Sequence, residues 1–243
     1  MIFIFLYSKI YTINKEKNGD GVIIKKLPYG ISNYEELVED GYYYVDKTDY
    51  IEKLENLPEK RIMFLRPRKF GKTLFTSVIE NYYDKLKRDK FEKLYADTYI
   101  GKNPTPLRNS YNILRFNFSG IDTTTVESTI KGFKANTISS INDFIQSYKL
   151  DFFINENNDA EIILNDLFIA FKHQKVDEKI YVIIDEYDHF ANELLRFKIA
   201  EFKNLVSKNG KVRKWYEKLK EGTESVVDRI FITGVAPITL DSL

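Results

Sequence analysis

Residues Arg61 to Thr73 read RIMFLRPRKFGKT, an apolar run that ends in a Lys-Thr pair and opens an amphipathic segment. In the pattern G-x-x-x-x-G-K-S/T, a strand delivers a loop whose backbone N–H groups cradle phosphate oxygens. The helix that follows points its positive N-terminal end at them. Gly71 stands where a side chain would block close approach of the backbone. Lys72 is placed to neutralise β- and γ-phosphates, and Thr73 to hold Mg²⁺. Arg66 takes the place of the first glycine, so the stretch taken alone also reads as a basic helix start after any buried strand.

The flanks favour the phosphate reading. After Thr73, Leu74, Val78, Ile79, Tyr82, Tyr83 and Leu86 recur at helical spacing, which predicts a helix with one buried stripe. Ile62 to Leu65 forms the strand before the loop, giving the strand-loop-helix context the motif requires. Further along, Ile180 to Ile184 is an unbroken apolar run ending in Asp185-Glu186, as suits a strand covered on both faces of a parallel sheet. Asn112 to Phe118 and Arg229 to Thr233 supply two more strands, the last closed by Gly234 and Pro237. Helices are expected over Val126 to Tyr148, Ala160 to Phe171, Phe190 to Val206 and Arg213 to Leu219, and an irregular connection over Phe91 to Pro106. Strands alternating with helices imply a mostly parallel α/β sheet.

Upstream, Ser32 and Glu35 have the spacing of a capping box for a short helix through Glu39. Tyr42 to Val45 is β-prone, and Asp46 or Thr48 is placed to cap a helix running to about Leu57. The leading MIFIFLYSKIYTI is broken by Ser8 and Lys9 and falls short of the roughly 20 residues of a membrane helix, so an edge strand or loose tail is expected there. Asn14 to Gly21 is a polar, glycine-bearing break, giving an extension over 1–21 and one domain over 22–243.

With 243 residues and 43% hydrophobic content, the chain can bury one sizeable core. The 37 basic and 36 acidic residues leave a formal net charge of +1, so no global field recruits nucleic acid or an anionic membrane. Absence of cysteine excludes a disulfide framework and suits a reducing cytoplasm. His173 and His189 have no second ligand at metal spacing, and the abundant Tyr and Phe read as core.

Ligands of such sheets bind beyond the carboxyl ends of the strands, so the polar groups there carry the chemistry. Asp185 is placed to reach Mg²⁺ held by Thr73, mostly through water. Glu186 would orient or deprotonate an attacking water, while Lys72 and Mg²⁺ stabilise charge on the transferring phosphoryl group. Thr233 would hydrogen-bond the γ-phosphate or that water. An acidic strand end alone is more often a solvated turn, and Thr233 alone an ordinary strand end; the conjunction with G-K-T makes the nucleotide site.

Several stretches together resemble the AAA-ATPase-like family of bacterial and archaeal P-loop proteins. They are LPYGISNYEEL (Leu27 to Leu37), GYYYVDKT (Gly41 to Thr48), RPRKFGKTL (Arg66 to Leu74), FNFSGI (Phe116 to Ile121), YVIIDEYDHFANELL (Tyr181 to Leu195) and ITGVAPITLDSL (Ile232 to Leu243). The resemblance accounts for Arg66, since R-P-R-R/K-F-G-K-T is the family's usual form. It implies a three-layer α/β/α P-loop NTPase fold that uses ATP and Mg²⁺. The implied nucleotide-binding loop is Arg68, Lys69, Phe70, Gly71, Lys72, Thr73 and Leu74, with Thr73 and Asp185 at the metal. Glu186, Lys72 and Thr233 would be catalytic, Thr233 at the sensor-1 position. Val45 to Thr48 would line the nucleotide base, and Asp188 matches a family position without an assigned chemistry. Family members often carry a C-terminal PD-D/E-x-K-type nuclease domain. The chain stops before the expected fifth core strand, helical lid and nuclease domain, so a truncated product is expected. Nucleic acid would be reached only through that missing domain, a homo-oligomer is left open, and no membrane partner is expected. The alternatives are a nucleotide kinase, for which no basic lid is placed, and a non-hydrolysing remnant that binds nucleotide or recruits a partner.

Overall fold

The computed structural model describes residues 15–18, 21–174, 176–189 and 210–237. The apolar leading run and the helix expected over Phe190 to Val206 lie outside the described residues. Residues expected to form a polar break instead carry a strand: β1 (Lys15–Asn18) pairs antiparallel with β2 (Gly21–Ile24). The body then runs through α1 (Tyr34–Glu39), α2 (Asp49–Glu55), β3 (Arg61–Leu65) and α3 (Lys72–Tyr83). A 3₁₀ turn (Lys85–Lys90) and two short helices, α4 (Phe91–Tyr95) and α5 (Tyr99–Lys102), lead to β4 (Asn112–Asn117). The remainder is α6 (Val126–Tyr148), α7 (Ala160–His173), β5 (Ile180–Asp185), α8 (Lys211–Gly222) and β6 (Val227–Gly234).

Four strands form one sheet in the order β3-β6-β5-β4, every neighbour parallel. This is the expected α/β arrangement, because β5 and β6 alternate their side chains between two covered faces. Tyr181, Ile183 and Phe231 join Val78, Ile79, Tyr82 and Tyr83 of α3 in one core. Val182, Ile184, Ile230 and Ile232 join α6, α7 and α8 in the other. Trp215 of α8 anchors that second core, edge-on to Phe116, Phe118 and Phe133 at centroid distances of 4.9, 5.6 and 5.4 Å. β3, β6 and β5 therefore end side by side, bringing together the three loops in which chemistry is expected. Among the described residues no helix is long and apolar enough to cross a membrane.

Local chemistry sets the boundaries. Asn33, not Ser32, caps α1, its Oδ1 accepting from the N–H groups of Glu35 (3.0 Å) and Glu36 (3.3 Å). Tyr42 to Val45 forms no strand, because β-propensity without a pairing partner stabilises nothing; Tyr44 packs instead on Tyr34 at 5.1 Å. The connection after Phe91 is more regular than expected, since Tyr95, Leu94 and Ile100 are buried against α3 and ordered by that contact. α3 ends at Asp84, whose extended backbone turns away and whose Oδ1 accepts from Leu86 N–H at 2.9 Å. The same oxygen accepts the Tyr148 hydroxyl at 2.8 Å, and Tyr148 accepts the Ile113 N–H at 2.7 Å. This fixes the end of α6 to the edge of β4. Burial pushes the Asp84 carboxyl up despite those two hydrogen bonds.

Two outcomes test the packing. Trp215→Ala should cost about 3–5 kcal/mol in a denaturant unfolding titration, because four aromatic neighbours lose their common contact. At the opposite end of the sheet, burial pushes the Asp228 carboxyl up, but hydrogen bonds from Lys60 and Tyr111 outweigh it and hold it below the usual range. Its stabilisation is complete above the unfolded value of about 3.9 and is lost as pH falls through the lower folded value. Asp228→Asn should therefore flatten the acid limb of a stability-against-pH curve, measured by chemical unfolding.

Candidate functional site

The strand-loop-helix around Gly71 is built as the sequence predicts. β3 continues its pairing one step beyond its end, Arg66 N–H donating to Gly234 O at 3.1 Å. The chain then turns through two left-handed residues, Lys69 (φ 67°) and Gly71 (φ 76°). Glycine takes that conformation freely, and its missing Cβ leaves the space before α3 open. α3 begins at Lys72 with no side chain capping its first turn, so its N-terminal N–H groups face the loop unclaimed by a cap. Those N–H groups and the helix dipole suit an anion.

Lys72 is nearly buried and its ammonium donates to the main-chain oxygens of Arg66 (2.9 Å) and Pro67 (3.1 Å). It thus spans the mouth of its own loop. Arg66, in place of a glycine, turns back over the Phe64 ring at 5.3 Å. Its bulk lies away from the loop interior, which removes the steric reason for a glycine there. Arg68, Lys69 and Phe70 are exposed on the loop tip, while Leu74 packs partly into the core beneath.

Asp185 ends β5 with no solvent exposure. Its Oδ1 accepts the Thr233 hydroxyl at 2.5 Å from the end of β6. Its Oδ2 is buried and takes no hydrogen bond. Thr233, expected to face phosphate or water, is itself fully buried and orients Asp185, and its oxygen also accepts the Glu186 N–H at 3.4 Å. Glu186 follows in the left-handed region (φ 52°), a conformation that strains a non-glycine residue. Its side chain is more than a third exposed, with Oε2 3.8 Å from His189 Nδ1. The structure thus brings Asp185, Glu186 and Thr233 together beside the loop that holds Lys72 and Thr73.

A buried carboxylate oxygen that takes no hydrogen bond is a feature native folds keep rare, and a bound group can supply the missing contact. A divalent cation fits that role. Among the described residues no cluster of three or more His, Cys, Asp or Glu could hold a metal. Of the two residues expected at a metal, Asp185 keeps one oxygen free of hydrogen bonds and Thr73 lies in the first turn of α3, a sparse oxygen set. That composition matches Mg²⁺, which is held by one or two protein oxygens, substrate phosphates and water.

Several residues gain roles the sequence reading left open. Asp188 Oδ2 accepts from the N–H groups of Val235 (2.9 Å) and Ala236 (2.8 Å), and Tyr187 donates to Ala236 O at 2.7 Å. Together they clamp the turn after β6. Gly234 permits this, since a Cβ there would lie 2.4 Å from the Tyr187 ring. Within Val45 to Thr48, Asp46 accepts from Thr48 N–H (2.8 Å), Thr48 hydroxyl (2.7 Å) and Tyr99 N–H (2.7 Å), and Thr48 accepts from Ile100 N–H (3.1 Å), while Val45 is exposed. These atoms anchor α5 beside α2. Arg115, passed over in the sequence as part of a strand, lies 3.7 Å from Asp185 Oδ2. Its one signal was a cation interrupting an apolar run.

A curated relative, an uncharacterized protein in the vnfD 5' region of Azotobacter chroococcum mcd 1, is 43% identical over 61 residues. The chain spans only 11% of that relative's length, and the match takes in 24% of this chain. No solved structure matches the chain. The family model described as "Predicted AAA-ATPase" matches residues 28–243, which takes in the whole of the site, and the chain belongs to that AAA-ATPase-like family.

Proposed function

We propose that the chain binds Mg²⁺-ATP at the loop Arg66–Thr73 and hydrolyses it with Glu186. The observation that carries this reading is the buried Oδ2 of Asp185 at the end of β5, which takes no hydrogen bond, together with the uncapped N-terminus of α3. The main-chain N–H groups of the α3 first turn would hold the phosphates, assisted by the exposed Arg68 and Lys69 and with Phe70 and Leu74 flanking them. Lys72 must exchange the carbonyls of Arg66 and Pro67 for phosphate oxygens, so binding opens the loop around its own lysine. Thr73 and Asp185 would hold Mg²⁺, which when bound supplies charge neutralisation at the phosphates. Thr233 keeps Asp185 in one orientation. Glu186, the exposed carboxylate that follows β5, would turn to accept a proton from an attacking water, and a positioned base contributes about 10²–10⁴-fold.

A second reading, nucleotide binding without turnover, is favoured by the Glu186 carboxylate lying 3.8 Å from His189 Nδ1, a contact that competes with a role as base. The two readings part at Glu186.

Thermal unfolding of the wild type with saturating Mg²⁺-ATP should rise, since a hundredfold excess over Kd adds about 2.7 kcal/mol. Lys72→Ala should lose that rise, and removing Mg²⁺ with chelator should shrink it. A wild type unmoved by Mg²⁺-ATP would refute the site. In a phosphate-release assay, Glu186→Gln should lower turnover by at least about 10²-fold while keeping the thermal shift. A wild type that shifts but releases no phosphate would establish the binding-only reading.

A further inference from the structure

We propose that Arg115, paired with Glu80, is a positioning residue of this site that holds the Asp185 carboxylate ready for Mg²⁺; the inference rests on the Mg²⁺-nucleotide reading above. Arg115 lies on β4, on the sheet face that α3 covers, and its guanidinium is only partly exposed. Its Nη1 donates to Glu80 Oε2 of α3 at 2.6 Å. Its Nη2 lies 3.5 Å from the Thr76 hydroxyl and 3.7 Å from Asp185 Oδ2. Thr76 in turn donates to the main-chain oxygen of Thr73 at 2.8 Å. One planar cation therefore touches the helix that follows the phosphate loop, the strand that ends in Asp185 and, through one hydroxyl, the residue placed at the metal.

The distances distinguish this from an ordinary tie between β4 and α3. If Arg115 served only to neutralise Asp185, the two would close to hydrogen-bonding distance, as Arg115 and Glu80 do. At 3.7 Å the guanidinium instead attracts Oδ2 without consuming it. Thr233 fixes Oδ1 from the opposite strand, so the carboxylate is held between two strands with one oxygen unspent. Because Glu80 neutralises Arg115 at close range, the pair presents little net charge to an incoming cation, and its effect on metal binding is one of orientation. Partners of this kind behind a metal ligand change metal affinity by roughly 10–100-fold when removed.

The test titrates Mg²⁺ against the thermal stability of the protein held in saturating ADP, which binds Mg²⁺ less tightly than ATP does. Wild type is compared with the charge-balanced Arg115→Met/Glu80→Gln variant and with Arg115→Lys. The double variant should need roughly tenfold more Mg²⁺ for its half-maximal shift, while its shift with nucleotide in chelator matches wild type. Arg115→Lys should give a smaller increase, since an ammonium keeps the charge but not the planar fork. A purely structural tie would lower the unfolding temperature of all states together and leave the Mg²⁺ midpoint where it was. A folded double variant with the wild-type midpoint overturns the inference; if the double variant does not fold, an unchanged midpoint in Arg115→Lys does so. A wild type that gains no stability from Mg²⁺ with either ATP or ADP overturns the nucleotide reading, and this inference with it.

Discussion

Placing an aspartate with no solvent exposure at the end of a strand buried on both faces imposes a demand that its neighbours must meet. A charged carboxylate removed from water is costly unless paired and hydrogen-bonded. Thr233 meets part of the demand from β6, and Arg115 meets part from β4 without forming a hydrogen bond. Both contacts require β4, β5 and β6 to be adjacent, parallel and in one register, because only then do Arg115, Asp185 and Thr233 share the α3 face. The sheet order is thus tied to the site: a slip of one residue would send each of these side chains to the opposite face.

The residues after Asp185 extend the same logic. Glu186 adopts a strained left-handed backbone, and Tyr187 and Asp188 fold back to hold the turn after β6. Strain of this kind persists where surrounding contacts over-determine it. Here the Tyr187 ring over Gly234 and the two N–H groups on Asp188 provide those contacts. The result is an acidic corner tied down by hydrogen bonds, beside a loop that Lys72 ties back to its own main chain. One side of the site is fixed by buried hydrogen bonds, and the other rests on an ammonium that has alternative partners.

Legibility in the sequence followed the strength of each local signal. The strand-loop-helix was readable because G-K-T is a chemical pattern, and β5 because an apolar run of that length has few other fates. Val126 to Tyr148 was readable from its periodicity, and the structure supplies its ends: Thr125 and Ser128 form a capping box and Lys149 closes the helix in the left-handed region. Tyr42 to Val45 misled, because β-branched and aromatic propensity describes a surface that needs a partner strand. The segment after Phe91 misled in the other direction. Its short helices exist because Leu94, Tyr95 and Ile100 are buried against α3, and a composition of Asn, Gly and Pro does not reveal that contact.

By itself the sequence determined the α/β class, the phosphate-loop motif and the acidic strand end, since each is written in contiguous residues whose spacing carries its own chemistry. Only the tertiary structure decided which strands lie side by side, that Thr233 turns to Asp185, that Asp188 clamps a turn, and that Arg115 pairs with Glu80 beside Asp185. Those are meetings between residues 35 to 70 positions apart in the chain. Their geometry is set by sheet register and helix packing, which no local stretch of sequence encodes.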